Sequence, residues 1–347
     1  MGAFIDNEGS EKRQFAYSHA AGYEASSRTE LIALSDTRAE VMARAGERYG
    51  VPGDHQYRDY REMLAREKPD IVSVATQPEH RTRIVLDAVE AGVPAIYAEK
   101  AMAASMGEAD AMMAACEERG VFFNLGTNRR WDVRWEKLRE AIGSQGLGSV
   151  NAVVSHWTGT LFNSASHMFD LMLWLHGDCP VEWVQGFLRD PGEGLFDGHI
   201  LTEDPVGEGI FRFSDGAYGY ALNTSHGLRF ELVCEKGTVL GQEPENLWEV
   251  ATTGEVGGRS RVERTSLDLA AASSTRAIIE DLARSLDTGE PPRGGVRSAH
   301  QSTELIFAFI ESHLQGGKRI HLPLQGSRVR LVRDRQPRLP KFQPVWK

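Results

Sequence analysis

A chain of 347 residues exceeds what one compact core usually organises, so two domains are expected. With 41% hydrophobic and 25% charged residues, the composition is that of a globular protein and excludes a wholly disordered one. A net charge of −10, with no basic tract interleaved with aromatics, argues against nucleic acid as a partner.

Strands and helices alternate from the start. "TELIALSD" (29–36) reads as a strand ending in an acid, and "RAEVMARAGERYG" (38–50) as a helix stopped by Gly50. "YRDYREMLAREKP" (57–69) is a short helix closed by Pro69, and "DIVSVAT" (70–76) is an apolar run of the kind covered on both faces. The amphipathic helix "EHRTRIVLDAVEAG" (79–92), the strand "VPAIYAE" (93–99), the helix "MGEADAMMAACEERG" (106–120) and the strand "VFFNLGT" (121–127) follow. Strand, helix, strand in this repetition implies right-handed crossovers and a parallel sheet with helices on both faces.

The pattern changes near residue 146. "GSVNAVVSHWTG" reads as a strand and "NSASHMFDLMLWLHG" (163–177) as a mostly buried helix. Strand-like runs follow: "VEWVQGFLR", "GEGIFRFSDGAYGYALNTSHG" and "RFELVCEKGTVLG", the second carrying Asp215-Gly216, a strong hairpin signal. Helices are expected near 272–287 and 297–315, and the polar, glycine-rich "TTGEVGGRSRVERTS" (252–266) reads as a mobile surface loop. The expected fold is α/β: a Rossmann-type doubly wound parallel sheet over residues 1–128, then an α+β domain with a large open, mainly antiparallel sheet over 129–330, and a tail, 331–347.

In an open parallel sheet, ligands bind beyond the carboxyl ends of the strands. The residues there are Asp36 after the first strand, Ala75, Thr76, Gln77 and His80 after the second, Glu99 and Lys100 after the third, and Asn124 with "GTNRR" (126–130) after the fourth. Each has an ordinary explanation: Asp36 as a turn residue, His80 as a polar helix-start residue, Glu99 and Lys100 as a solvated pair. Their recurrence at four successive strand ends points instead to one cleft.

These residues, taken with "YGVP", "YRDYREML", "DIVSVATQPEH", "AVEAG", "AEKAMA", "NRRWD" and "NSASHMFD", resemble the glucose–fructose oxidoreductase / inositol dehydrogenase / rhizopine catabolism (Gfo/Idh/MocA) family, from about Ser18 to Leu324. The resemblance implies a Rossmann domain, a second domain with an open sheet that forms homodimers or homotetramers, and NAD(P)-dependent oxidation or reduction of sugars and polyols.

Three features depart from the family pattern. A dinucleotide fold opens with an apolar strand and G-x-G-x-x-G, whose amides hold the pyrophosphate. Here only Gly2 matches, as the third glycine. Met1 is accordingly read as an internal methionine and the start as incomplete; the alternative is a native start here. Second, Ala101 stands where the family has a proline, which would help aim Lys100. Third, Asn163 stands where the family has an aspartate, four residues before His167, with Asp170 one further turn on. An amide orients a hydroxyl but cannot serve as a base at neutral pH.

The resemblance implies Lys100 and His167 as catalytic groups, Lys100 on the reacting oxygen and His167 as proton acceptor or relay. It implies Gly2, Asp36, Arg38, Ala75, Thr76, Gln77, His80, Glu99, Lys100 and Asn128 as cofactor contacts. Lys100, Arg129, Trp131, Asn163 and His167 would face a sugar or polyol substrate. Asp36 favours NAD, since a carboxylate accepts from a 2′-hydroxyl and repels a 2′-phosphate; Arg38 leaves NADP possible. Glu99 would bind the cofactor ribose or set the field on Lys100. No metal is expected: His199, Glu203 and Asp204 in "DGHILTED" lack ligand spacing and read as a solvated loop, and His156 and His176 sit in no ligand motif of the sequence. Two other functions stay open, an enzyme that oxidises its substrate only transiently to eliminate a neighbouring bond, and a binding protein without catalysis.

"LMLWL" and "LIFAFI" are too short to span a bilayer and no signal peptide is visible, so no membrane partner is expected. Cys116, Cys179 and Cys234 form no C-x-x-C, which fits the cytoplasm.

Overall fold

The computed structural model describes residues 1–8, 14–189, 195–224, 227–243, 245–256, 259–333 and 339–345. Its first half runs α1 (His19–Ala25), β1 (Leu34–Ser35), α2 (Ala39–Tyr49), β2 (Gln56–Tyr57), α3 (Tyr60–Glu67), β3 (Ile71–Val74), α4 (Pro78–Glu90), β4 (Ala95–Ala98), α5 (Met106–Arg119), β5 (Phe122–Leu125) and α6 (Val133–Ser144). Helix ends follow local chemistry: Ser105 and Asp132 cap α5 and α6 through their side chains, while Gly50 and Gly120 close α2 and α5 in the left-handed region. Strands β3, β4 and β5 pair in parallel, and all four residues of β4 are buried, as in a sheet covered on both faces. Strands β1 and β2 form a separate parallel pair; among the described residues no strand joins the two sheets. A hydrogen bond between Tyr23 on α1 and Ser73 on β3 (2.9 Å) spans part of that interval.

The second half contains β6 (Val150–Trp157), α7 (Ser166–Leu175), β7 (Val181–Leu188), β8 (Phe196–Asp197), β9 (Ile200–Leu201), β10 (Gly207–Phe213), β11 (Tyr218–Asn223), β12 (Leu228–Cys234), β13 (Gly237–Glu243), β14 (Leu247–Val256) and β15 (Arg259–Ser266). It closes with α8 (Ser274–Thr288), α9 (Val296–Leu314), β16 (Ile320–His321) and β17 (Arg330–Leu331). Nine strands form one sheet, ordered β15-β14-β13-β12-β6-β11-β10-β7-β16, antiparallel except for the β6–β11 pair. Helix α9 lies so close to this sheet that a Cβ at Gly186 would stand 2.6 Å from the Phe309 backbone. Helix α8 returns to the first half, where Ile278, Ile279 and Leu282 pack with Tyr23, Ala95 and Tyr97.

Residues 252–266 correct one expectation. Apart from 257–258, which lie outside the described residues, this stretch forms β14 and β15, an antiparallel hairpin at the sheet edge. Tail residues 334–338 and 346–347 also lie outside the described residues. Leu331 is fully buried; its amide donates to the Ala104 carbonyl (2.8 Å), linking the tail to the first half.

Candidate active site

The ends of β3 and β4 place Ala75–Gln77 beside Glu99 and Lys100, with the Glu99 amide donating to the Val74 carbonyl (2.9 Å). From the second half, a π-helical turn, Leu161–Ala165, leads into α7 and presents Asn163. Lys100 Nζ donates to the Asn163 carbonyl (2.9 Å) and to Asn163 Oδ1 (2.5 Å). Residues 63 positions apart thus meet across the two halves. The Lys100–Ala101 peptide bond is cis.

Burial lowers the Lys100 pKa; Glu99 and Asp204 oppose that shift, and Arg81 and Arg129 add to it. On α7, burial together with the charges of Arg129 and Lys100 pushes the His167 pKa well below the usual histidine range. The imidazole is therefore neutral, and its buried Nδ1 has no partner among the described residues. Arg129 holds Glu243 through Nη2 (3.2 Å), while its Nε is buried without a partner among the described residues. Lys100, Asn163, His167 and Arg129 thus share one electrostatic environment.

Several expected contacts fall elsewhere. Trp131 does not line this cleft: it is 6% exposed, packs with Tyr97 and Ile278, and donates through Nε1 to Asp281 (2.9 Å). Glu99 is 4% exposed, too buried to meet a ribose, and lies 3.0 Å from His19 Nε2. Burial pushes its carboxyl up, but His19, Lys100 and Arg81 outweigh burial and the pKa is lowered. Setting the field on Lys100 is the part of its expected role that this position allows. Asn128 donates to Ser274 Oγ (3.1 Å) at the start of α8. Gly2 has room for a side chain, its nearest neighbour to an added Cβ being Ala75 at 3.6 Å, so nothing in its setting requires glycine. Asp36 follows β1 and accepts from Arg38 through its backbone amide (2.8 Å), Nε (2.9 Å) and Nη2 (2.9 Å). Gln77, exposed, accepts from Arg333 (3.2 Å), and His80 is exposed in the first turn of α4.

The structure adds residues that sequence reasoning passed over. Asp204 is no solvated loop residue: Oδ1 accepts from the Phe162 amide (2.9 Å), and Oδ2 from Thr160 Oγ1 (2.6 Å) and the Asn163 amide (3.0 Å). Arg81, 1% exposed, donates to the carbonyls of Thr76 and Ala101 and so ties the end of β3 to the turn after Lys100. Arg130, with no exposed surface, bridges Asp170 (2.8 Å) and Asp178 (2.8 Å), joining the segment that carries Arg129 to α7. His176 has a partner, Asp215 (2.8 Å), and Cys179 lies nearby at this far end of α7. An acid one or two turns after a candidate histidine was the visible hint of the Arg130 pair; Asp204 and Arg81 left no comparable signal.

The strand ends near Lys100 and the start of α1 fit a dinucleotide differently. Near Lys100, Thr76 Oγ1 is buried without a partner among the described residues, and Ala75 and Gln77 are exposed, which suits a polar ligand. At the start of α1, the amides of Tyr17 (2.8 Å) and Ser18 (3.1 Å) already donate to Asp6. Those of His19 (3.3 Å) and Ala20 (2.9 Å) donate to the carbonyls of Met1 and Gly2. The strand ends near Lys100 thus leave polar groups for a cofactor, whereas the donors at α1 are satisfied from within the chain.

Residues 13–127 match the model of a family described as an oxidoreductase family with an NAD-binding Rossmann fold, which leaves Gly2 outside the matched segment. A D-apiose dehydrogenase of Paraburkholderia graminis is 33% identical over 156 residues, covering 45% of this chain and 39% of that protein, well under half its length. A myo-inositol 2-dehydrogenase of Thermotoga maritima is 23% identical over 292 residues, covering 76% of this chain and 82% of that protein. A solved levoglucosan dehydrogenase, in complex with NADH and levoglucosan, superposes with a TM-score of 0.72 at 18% identity, over 88% of this chain and 95% of that one, a likeness of fold alone. Over residues 13–127 the chain is thus similar to the Gfo/Idh/MocA oxidoreductase family with its NAD-binding Rossmann fold.

Proposed function

We propose that the protein is an NAD(P)-dependent dehydrogenase that oxidises a secondary alcohol of a sugar, polyol or glycoside, or reduces the corresponding ketone. The observation that carries this reading is the meeting of Lys100 and Asn163 beside a neutral His167 whose Nδ1 has no partner among the described residues. The nicotinamide supplies hydride transfer. Lys100 holds the reacting oxygen, and burial moves its pKa down from the ordinary lysine range, the direction that favours proton exchange. His167 accepts or relays the hydroxyl proton, and Arg129 orients a neighbouring hydroxyl through Nε. Asp36 takes the adenine-ribose hydroxyls and favours NAD over NADP; Ala75, Thr76 and Gln77 line the redox end. The polyhydroxylated compounds named for the similar dehydrogenases support the substrate class. Residues 1–128 serve the cofactor, 129–330 the substrate, and 331–347 form a tail. Exposed Phe187, Tyr218 and Tyr220 on the nine-stranded sheet support homodimers or homotetramers through that sheet. No described helix is long and apolar enough to cross a membrane, and the free cysteines support a cytoplasmic location.

A second reading, a binding protein without turnover, is favoured by the filled α1 terminus and by Asn163. Incubating the full chain with NAD and a panel of sugars, polyols and glycosides separates the readings. Accumulating NADH supports the dehydrogenase. Eliminated product without net NADH supports transient oxidation, and failure to bind NADH in a fluorescence titration supports the binding protein.

A further inference from the structure

We propose that Asp204 is a positioning residue for Lys100: its carboxylate fixes the turn whose Asn163 oxygens hold the ammonium. This rests on the role given to Lys100 above. Turn Leu161–Ala165 begins with amides that no helix of its own can satisfy. The Leu161 amide donates to the Pro205 carbonyl (2.8 Å), the Phe162 amide to Asp204 Oδ1 (2.9 Å) and the Asn163 amide to Asp204 Oδ2 (3.0 Å). Residues 204 and 205 thus take three successive amides, and Asp204 also takes the Thr160 hydroxyl (2.6 Å).

Only a carboxylate meets this demand. An asparagine would bring its NH2 group against one of the two amides, donor against donor. Held in this way, Asn163 directs both its carbonyl and its Oδ1 at Lys100 Nζ. Two of the three ammonium protons are then placed, and the third is free to point at a substrate oxygen. Asp204 also acts on Lys100 by charge, and Arg333 faces Asp204 from the tail. Lys100 in turn faces Glu99, Arg81 and Arg129. Burial raises the Asp204 pKa, and its hydrogen-bond donors oppose the shift.

A cap that only stabilised the fold would leave the chemistry of Lys100 unchanged, so the test reads that amine directly. The full chain is pulse-labelled with acetic anhydride across a pH series, and modification of Lys100 is followed by mass spectrometry, with Lys137 and Lys236 as internal references. In Asp204→Asn, Lys100 should label faster by about threefold or more at pH below its midpoint, and the midpoint should move down because an attractive charge is lost. Thr160→Val, which keeps the carboxylate, should change the rate by less than about twofold. Unchanged Lys100 labelling in folded Asp204→Asn overturns the proposal. Should that variant not fold, Asn163→Ala decides: faster labelling of Lys100 supports the linkage and an unchanged rate overturns it. If the enzyme reading holds, Asp204→Asn also lowers kcat with KM little changed. A labelling shift in a chain without dehydrogenase activity would sustain the positioning role and remove the catalytic one.

Discussion

Replacing Arg130 by methionine removes one guanidinium and leaves a buried carboxylate behind. Arg130 is fully enclosed and gives Asp170 three side-chain bonds, through Nε (3.1 and 3.2 Å) and Nη2 (2.8 Å); Asp170 is itself 2% exposed. Burial alone lowers the Arg130 pKa, but Asp170 and Asp178 outweigh it and hold the group charged. Burial raises the Asp170 pKa even with Arg130 present, so without it the carboxylate has neither water nor a cation. Breaking a buried pair from one side costs about 3–5 kcal/mol. At about 2–4 °C per kcal/mol for a domain of this size, Tm should fall by about 6–20 °C. Asp178, a third exposed, turns to solvent and adds little. Thermal unfolding by circular dichroism at neutral pH measures the loss. The deficit should narrow at acid pH, where the orphaned carboxyl is protonated, and Arg130→Met/Asp170→Leu should recover most of it. An Arg130→Met protein within about 1 kcal/mol of the parent, or a double variant no better than the single one, would refute this reasoning.

Other outcomes follow from the same geometry. His19→Leu takes the hydrogen bond from buried Glu99 and should cost about 1–3 kcal/mol, read by chemical denaturation. Because the folded Glu99 pKa is lowered, its contribution is complete above the ordinary carboxylate range and disappears as pH falls through the folded value; in His19→Leu that acid-side loss should begin at higher pH. Asp36→Ala removes the carboxylate that accepts from Arg38 and should weaken NADH binding far more than NADPH binding; equal losses in titration calorimetry would argue against the ribose role. Asp6→Asn removes a negative charge from the start of α1 and should tighten NADH binding, whereas an unchanged affinity would mean that the phosphates bind elsewhere.

Much of the first half is legible because buried parallel strands and amphipathic helices leave opposite sequence signals. "DIVSVAT" and "VPAIYAE" are nearly continuous apolar runs, and polar residues mark their carboxyl ends. Asn163 and His167 were singled out through the resemblance of "NSASHMFD" to the family pattern, since their helical spacing alone reads equally as an N-cap and a core histidine. The hairpin at 252–266 was not, because an edge strand wet on both faces has no apolar alternation; even Val262 is 55% exposed. Trp131 was placed by adjacency to Arg129, yet neighbours in a short helical turn point in different directions. Asp204 and Asp6 each satisfy backbone amides that are distant in sequence, and such capping partners leave no periodic trace.

Single-turnover hydride transfer in Lys100→Met, at saturating NAD and with the best substrate found, bears most directly on the shared role of Lys100 and His167. NADH binding should persist while the transfer rate falls by about 10²–10⁴. A transfer rate like that of the parent would place the chemistry on other groups.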